Sequence, residues 1–181
     1  MRLLSFEHSL TAYYADLAAY GLGVLGLAIA LWRFSPAQDL LSVSVMLLLG
    51  AVLWTLLEYL IHRFVLHGLD PFRQWHGSHH RRPQALICTP TLVSALAFGG
   101  LVLLPCLWWL PTPLGLALSL GVLAGAFVYS LTHHAIHHLS AQSPWLRRLQ
   151  HWHLRHHHSA RPVCFGVTTR GWDRLFGSGG R

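Results

Sequence analysis

The sequence predicts an all-α integral membrane protein, with about four transmembrane helices and a histidine-rich helical cap on one side of them. Three observations predict it. Of the 181 residues, 53% are hydrophobic and only 10% are charged, far below the roughly 25% of ordinary soluble domains, and the mean hydropathy is +0.43. Four stretches approach the ~20 apolar residues that a helix needs to cross hydrocarbon. Most of the 15 histidines gather in the segments between and after those stretches. The length suits one domain, and no internal repeat, low-complexity tract or long linker divides it. Residues 1–181 are therefore expected to form a single membrane-embedded domain.

The crossings are expected at residues 11–32, 39–61, 90–110 and 114–131. Asp16 and three glycines interrupt the first, which leaves open a shallow course that does not cross. The second is apolar up to Glu58. The third ends in Trp108 and Trp109, whose indoles favour the headgroup zone. In the fourth, Gly121 and Gly125 stand four apart, the spacing of close helix contacts in lipid. The turns "FSPAQ" and "WWLPTP" join the crossings in pairs, leaving residues 62–89 and 132–177 for the cap.

All 13 basic residues are arginine, against 6 acids, for a net charge of +7. Arg33 is the one base near a short turn. The others lie at the N-terminus (Arg2), between the second and third crossings, or after the fourth, so the positive-inside rule places both termini and the cap in the cytoplasm. Arginines beside apolar segments suit an anionic lipid surface, and without a nucleic-acid motif no nucleic-acid partner is expected. Arg81, Arg82, Arg147 and Arg148 are assigned to phospholipid headgroups. Cys88, Cys106 and Cys164 are odd in number and widely spaced, which suggests neither a disulfide framework nor a thiolate metal site. Glu7 and Asp16, with no small-residue cleavage site, make the N-terminal stretch a retained segment rather than a signal. Arginine-rich, lysine-free usage fits a GC-rich bacterial genome, and hence an inner membrane.

The histidines carry the chemistry. His62 and His67 follow the second crossing, His76, His79 and His80 lie in the loop, His133 and His137 end the fourth crossing, and His153, His156 and His157 lie in the tail. Two crossings separate His80 from His133, so all ten emerge on one side. The H-x-x-H-H pattern of "HGSHH" and "HLRHH" sets imidazoles three and four apart on one helix face, close enough to share an ion. At the fourth crossing, spacing alone does not choose His133 and His137 over His134 and His138. His62 and His67, five apart, fall about 140° apart on a regular helix, which requires either two metals or a distorted helix end. Without thiolates or clustered carboxylates, all-imidazole sites suit iron, zinc, copper or nickel rather than calcium or magnesium, and ten ligands serve two ions. His8 and His158 are taken as polar interfacial groups.

"EYLIHRFVLHG" (58–68), "WHGSHHRRP" (75–83), "YSLTHHAIHH" (129–138), "LQHWHLRHHH" (149–158) and "FGVTTRGWDRLFG" (165–177) together resemble, in order, the blocks of the fatty acid 2-hydroxylase branch of the fatty acid hydroxylase and sterol desaturase superfamily. The resemblance implies a dimetal oxygenase whose cap binds two iron ions through His62, His67, His76, His79, His80, His133, His137, His153, His156 and His157, and it selects His133 and His137 in the third block. It implies that dioxygen hydroxylates a fatty acyl or other lipid substrate beside the carboxyl carbon, and that zinc can replace iron in purified protein. No fused cytochrome b5 domain accompanies these blocks, so electrons are expected from a separate cytochrome b5-like or ferredoxin-like protein. Ligated imidazoles usually bond a carboxylate or carbonyl through their other nitrogen, and Glu58 and Asp173 are the candidates for that support. For Glu58 the competing reading is an interfacial carboxylate paired with Arg63, and for Asp173 a helix cap or a partner of Arg170 or Arg174. No substrate-binding residue is legible. The alternatives are a carotenoid ring hydroxylase, a lipid or sterol desaturase of the same superfamily, and a membrane metal-binding protein without catalysis.

Overall fold

A computed structural model describes residues 7–35 and 39–180; Arg2 and most of the turn "FSPAQ" lie outside the described residues. Among those described, the chain is helical and has no β-strand, only an isolated bridge between Glu7 and Ile87. In order come α1 (Leu10–Phe34), α2 (Leu40–Leu60) running directly into a π-helical turn (Ile61–Leu66), and α3 (Phe72–Arg81). Then follow α4 (Thr91–Phe98), a second π-helical segment (Gly99–Leu103), α5 (Leu104–Trp109), α6 (Thr112–His138), α7 (Pro144–His158) and α8 (Gly171–Leu175). Four continuous helical stretches, Leu10–Phe34, Leu40–Leu66, Thr91–Trp109 and Thr112–His138, are long and apolar enough to cross a membrane.

The chain divides into two compact units, one of residues 14–54 and 89–127, the other of the N-terminal residues to Tyr13, Thr55–Cys88 and the chain from Val128 on. In the first, α6 is the core helix, with Leu116, Ala117, Leu120, Val122, Leu123 and Ala126 buried. Glycine permits its closest contact. A Cβ on Gly121 would strike the Leu47 carbonyl, one on Gly50 would strike the Leu118 carbonyl, and one on Gly125 would lie 2.6 Å from Trp54 Cβ. Small residues let two backbones meet where lipid offers no hydrophobic drive. Leu22, Leu25, Ile29, Leu41, Leu48 and Leu101 remain largely exposed, as faces turned to hydrocarbon require. Asp16, the acid inside α1, is buried and accepts a hydrogen bond from the Thr91 hydroxyl, and α1 runs unbroken for 25 residues. The third crossing is not one regular helix as read from the sequence. Pro105 has no N–H to give the Leu101 carbonyl, and the preceding turn, with Gly99 and Gly100, widens to π geometry.

In the other unit, Ile136, Leu149 and Val167 form a small core with Tyr129 and Leu146 packed against it. Ser143 caps α7 by accepting the Leu146 N–H at 3.1 Å, with Pro144 opening the first turn, as N-terminal capping favours. The C-terminal segment is tied to the end of α2. Tyr59 stacks on Phe176 with centroids 5.3 Å apart, its hydroxyl lies 2.9 Å from Ser178 Oγ, and Trp172 Nε1 donates to Thr55 Oγ1 at 3.0 Å.

A candidate metal centre of two imidazole groups

The ten predicted histidines come together in one unit. His62, His67, His76, His80 and His156 form one group, and His79, His133, His137 and His153 a second; within each, one nitrogen per ring lies within 4.8 Å of all the others. His157 lies against both groups, with its Nε2 3.1 Å from His153 Nε2 of the second and its ring stacked on His80 of the first at 4.2 Å between centroids. The groups therefore adjoin. His62 and His67 meet in one group because the helix end is distorted. Ile61–Leu66 is π-helical, and its i→i+5 bonding returns residues five apart to one face. In α3 and α7 the three-and-four spacing divides its rings: His76 and His80 face the first group and His79 the second, while His156 faces the first and His153 the second.

Proton positions follow from the partners. A carbonyl only accepts, so His62 Nδ1–H donates to the Phe165 carbonyl at 2.6 Å and His156 Nδ1–H to the Val163 carbonyl at 2.7 Å. Both Nε2 atoms then present lone pairs to the centre of the first group. There, Nε2 of His76 lies 3.0, 3.1 and 2.9 Å from those of His62, His67 and His80, and Nε2 of His156 lies 3.1 and 3.0 Å from those of His67 and His80. One nitrogen cannot donate to three others, whereas a shared cation satisfies converging lone pairs. With metal–nitrogen bonds of about 2.1 Å, ligands about 90° apart lie about 3.0 Å from one another and tetrahedral ligands about 3.4 Å. The first group therefore fits a five- or six-coordinate ion. In the second, both ring nitrogens of His79 are buried without a hydrogen-bond partner among the described residues, a costly arrangement that a metal bond relieves at one of them.

Glu58 and Asp173 act one step behind the rings. Asp173, fully buried, accepts the backbone N–H of Phe165 at 2.9 Å and of Gly166 at 2.8 Å, and the Ser178 hydroxyl at 2.8 Å. Glu58 accepts the N–H of Val167 at 2.6 Å and of Thr168 at 2.9 Å, and the Thr168 hydroxyl. Four successive amides are thus held by two carboxylates, and the same stretch offers the Phe165 carbonyl to His62. The groups that meet the imidazoles directly are backbone carbonyls, and Glu58 is bonded to the loop rather than to Arg63. Carbonyls carry no residue signature, so the sequence names the block that contains them but not the two oxygens that do the holding.

Burial keeps the rings neutral. It pushes His79 down to about 2 and His80, His156 and His157 to about 3, from an ordinary 6.5, and neighbouring imidazoles depress them further by mutual repulsion. Burial also lowers His67, His76 and His153. Neutral imidazole is the form that binds metal. His134 stands outside both groups, with its Nδ1 3.1 Å from the Tyr13 hydroxyl and its ring stacked on His138; His8 and His158 are likewise in neither. Arg82 pairs with Glu7 at 2.7 Å.

Residues 47–178 match the family model described as fatty acid hydroxylase. The chain is 32% identical over 153 residues to the dihydroceramide fatty acyl 2-hydroxylase FAH2 of Arabidopsis thaliana, covering 76% of this chain and 61% of that protein. It is 34% identical over 152 residues to the ceramide very long chain fatty acid hydroxylase scs7 of Schizosaccharomyces pombe, covering 74% and 42%. With the human fatty acid 2-hydroxylase it shares 33% identity over 141 residues, covering 71% and 38%. The chain thus spans between about two fifths and three fifths of the length of these relatives. The solved structure of full-length scs7p, with only its hydroxylase domain visible, superposes at a TM-score of 0.79 with 25% identity, covering 92% of this chain and 66% of that one. The matched region contains all ten clustered histidines and both loop-holding carboxylates, and the chain belongs to the fatty acid hydroxylase family.

Proposed function

We propose that this chain is a membrane-embedded oxygenase in which ten histidines hold two iron ions and a lipid acyl chain is hydroxylated at the carbon next to the carboxyl. The observation that carries this reading is the pair of adjoining all-imidazole groups, fit for a divalent transition metal. Relatives named for dihydroceramide, ceramide and fatty acid hydroxylation favour a fatty acyl substrate, free or in a sphingolipid. Iron, when bound, would supply the activation of dioxygen, one atom going to the alcohol and the other to water, with two electrons from a separate cytochrome b5-like or ferredoxin-like protein and two protons from solvent; zinc in its place would supply none.

The chain's own residues set the stage for that chemistry. Phe165 and Val163 fix the rings of His62 and His156, the π-helical turn aims His62 and His67 at one centre, and desolvation keeps the imidazoles neutral. The histidines stand at the ends of segments that cross hydrocarbon, so the acyl tail stays in lipid while its carboxyl end reaches the metals. Arginine distribution orients the cap to the cytoplasmic side, and in a bacterium this is the inner membrane. Mass spectrometry of membrane lipids, from cells with and without the protein, tests the reading. Appearance of 2-hydroxy acyl chains is expected; an unchanged acyl profile accompanied by hydroxylated carotenoids would replace the substrate class.

A further inference from the structure

The two imidazole groups are held in different ways. In the first, two rings of five are locked through Nδ1–H to the Phe165 and Val163 carbonyls, and the loop bearing Phe165 is itself clamped by Glu58 and Asp173 through four successive amides. In the second, both nitrogens of His79 and Nδ1 of His153 are buried without a hydrogen-bond partner among the described residues; neighbouring His157 has the His80 backbone beside its ring. A ring already fixed loses less rotational freedom on binding an ion, and an Nδ1–H bond raises the basicity of the opposite nitrogen.

We propose that the two metal sites are unequal: the group of His62, His67, His76, His80 and His156 is the tight site, and the group of His79, His133, His137, His153 and His157 is the labile one that fills last and empties first. This rests on the dimetal reading above. Glu58 and Asp173 are then positioning residues for one ion and not for the other. A bond of this kind is worth about 10- to 100-fold in metal affinity, so two locked rings separate the sites by at least about tenfold.

Repulsion between two ions also produces two binding steps, so the sites are measured singly. The full chain in lipid nanodiscs, stripped by chelator, is titrated with zinc alone against a competing chromogenic chelator. The wild type is expected to bind two ions. The double variant His79→Ala/His153→Ala, retaining the first group, is expected to bind one ion at least about tenfold more tightly than His62→Ala/His156→Ala, which retains the second. Glu58→Gln keeps one oxygen for the Val167 and Thr168 amides and sets an amide N–H₂ against the Thr168 hydroxyl, and the milder Thr168→Val removes that hydroxyl donor. Each should weaken the tight step and leave the labile step unchanged, whereas general loosening of the fold would weaken both. Equal affinity in the two double variants, or equal weakening of both steps by Thr168→Val, overturns the inequality. A wild type that binds fewer than two zinc ions overturns the dimetal reading itself.

Discussion

Acid is expected to destabilise the metal-free protein, and the size of the effect follows from two deeply buried rings. His79 and His156 are 3% and 2% exposed, and their values fall from 6.5 to about 2 and about 3. A base depressed in the folded state is neutral there, while the unfolded chain takes up its proton below 6.5. Between that value and about 3 the unfolded state binds more protons, so stability falls as the pH falls. Each group costs about 1.4 kcal/mol per pH unit in that window, so from pH 7.5 to 5.5 these two alone remove about 3 kcal/mol. Against a typical stability of roughly 5–15 kcal/mol that is a large part, and the other buried imidazoles add to it. Thermal unfolding of chelator-stripped protein in detergent, followed by tryptophan fluorescence, should show a marked drop in midpoint over this range. A midpoint that stays constant from pH 7.5 to 5.5 would refute the account of a desolvated, neutral histidine cluster.

Other perturbations test separate elements. His79→Ala and His156→Ala should each abolish formation of 2-hydroxy acyl product while membrane insertion, read by fractionation and alkali extraction, stays intact; turnover at the wild-type rate in either is incompatible with the proposed ligands. Gly121→Leu drives a side chain into the Leu47 carbonyl and should cost at least the 1–3 kcal/mol of an overpacked core, seen as loss of the monodisperse species in detergent, whereas Gly26→Leu, where a Cβ meets nothing within 4 Å, should not. Ser143→Ala removes the N-cap of α7 and should lower the unfolding free energy of the cap by about 1 kcal/mol with metal stoichiometry preserved.

Much of this architecture is legible in the sequence because lipid makes hydropathy a strong signal and because imidazoles sharing an ion must recur at helical spacing. The four long helices and the two H-x-x-H-H runs are of that kind. The π-helical turn is half legible, since the five-residue interval of His62 and His67 calls for either two metals or a distorted helix end without choosing between them. The partition of adjacent histidines is not legible. His79 and His80 are neighbours in sequence yet join different groups, because a helix turns by about 100° per residue and the division depends on where α7 and α6 bring their own rings. The roles of Glu58 and Asp173 are displaced by one step for a similar reason. A carboxylate next to a histidine motif suggests direct contact, but these two hold backbone amides, and the chain between them carries the support to the ring. The break in the third crossing has local signals, Gly99, Gly100 and Pro105, that hydropathy averages away.

If the ten imidazoles enclose two transition-metal ions, one in each group, anomalous X-ray scattering at the absorption edge of the metal found in the purified protein will locate both. Two peaks are predicted, one ringed by Nε2 of His62, His67, His76, His80 and His156, the other among His79, His133, His137, His153 and His157. Peaks lying outside both groups, or a crystal in which the rings diverge and hold no metal at full loading, would contradict it.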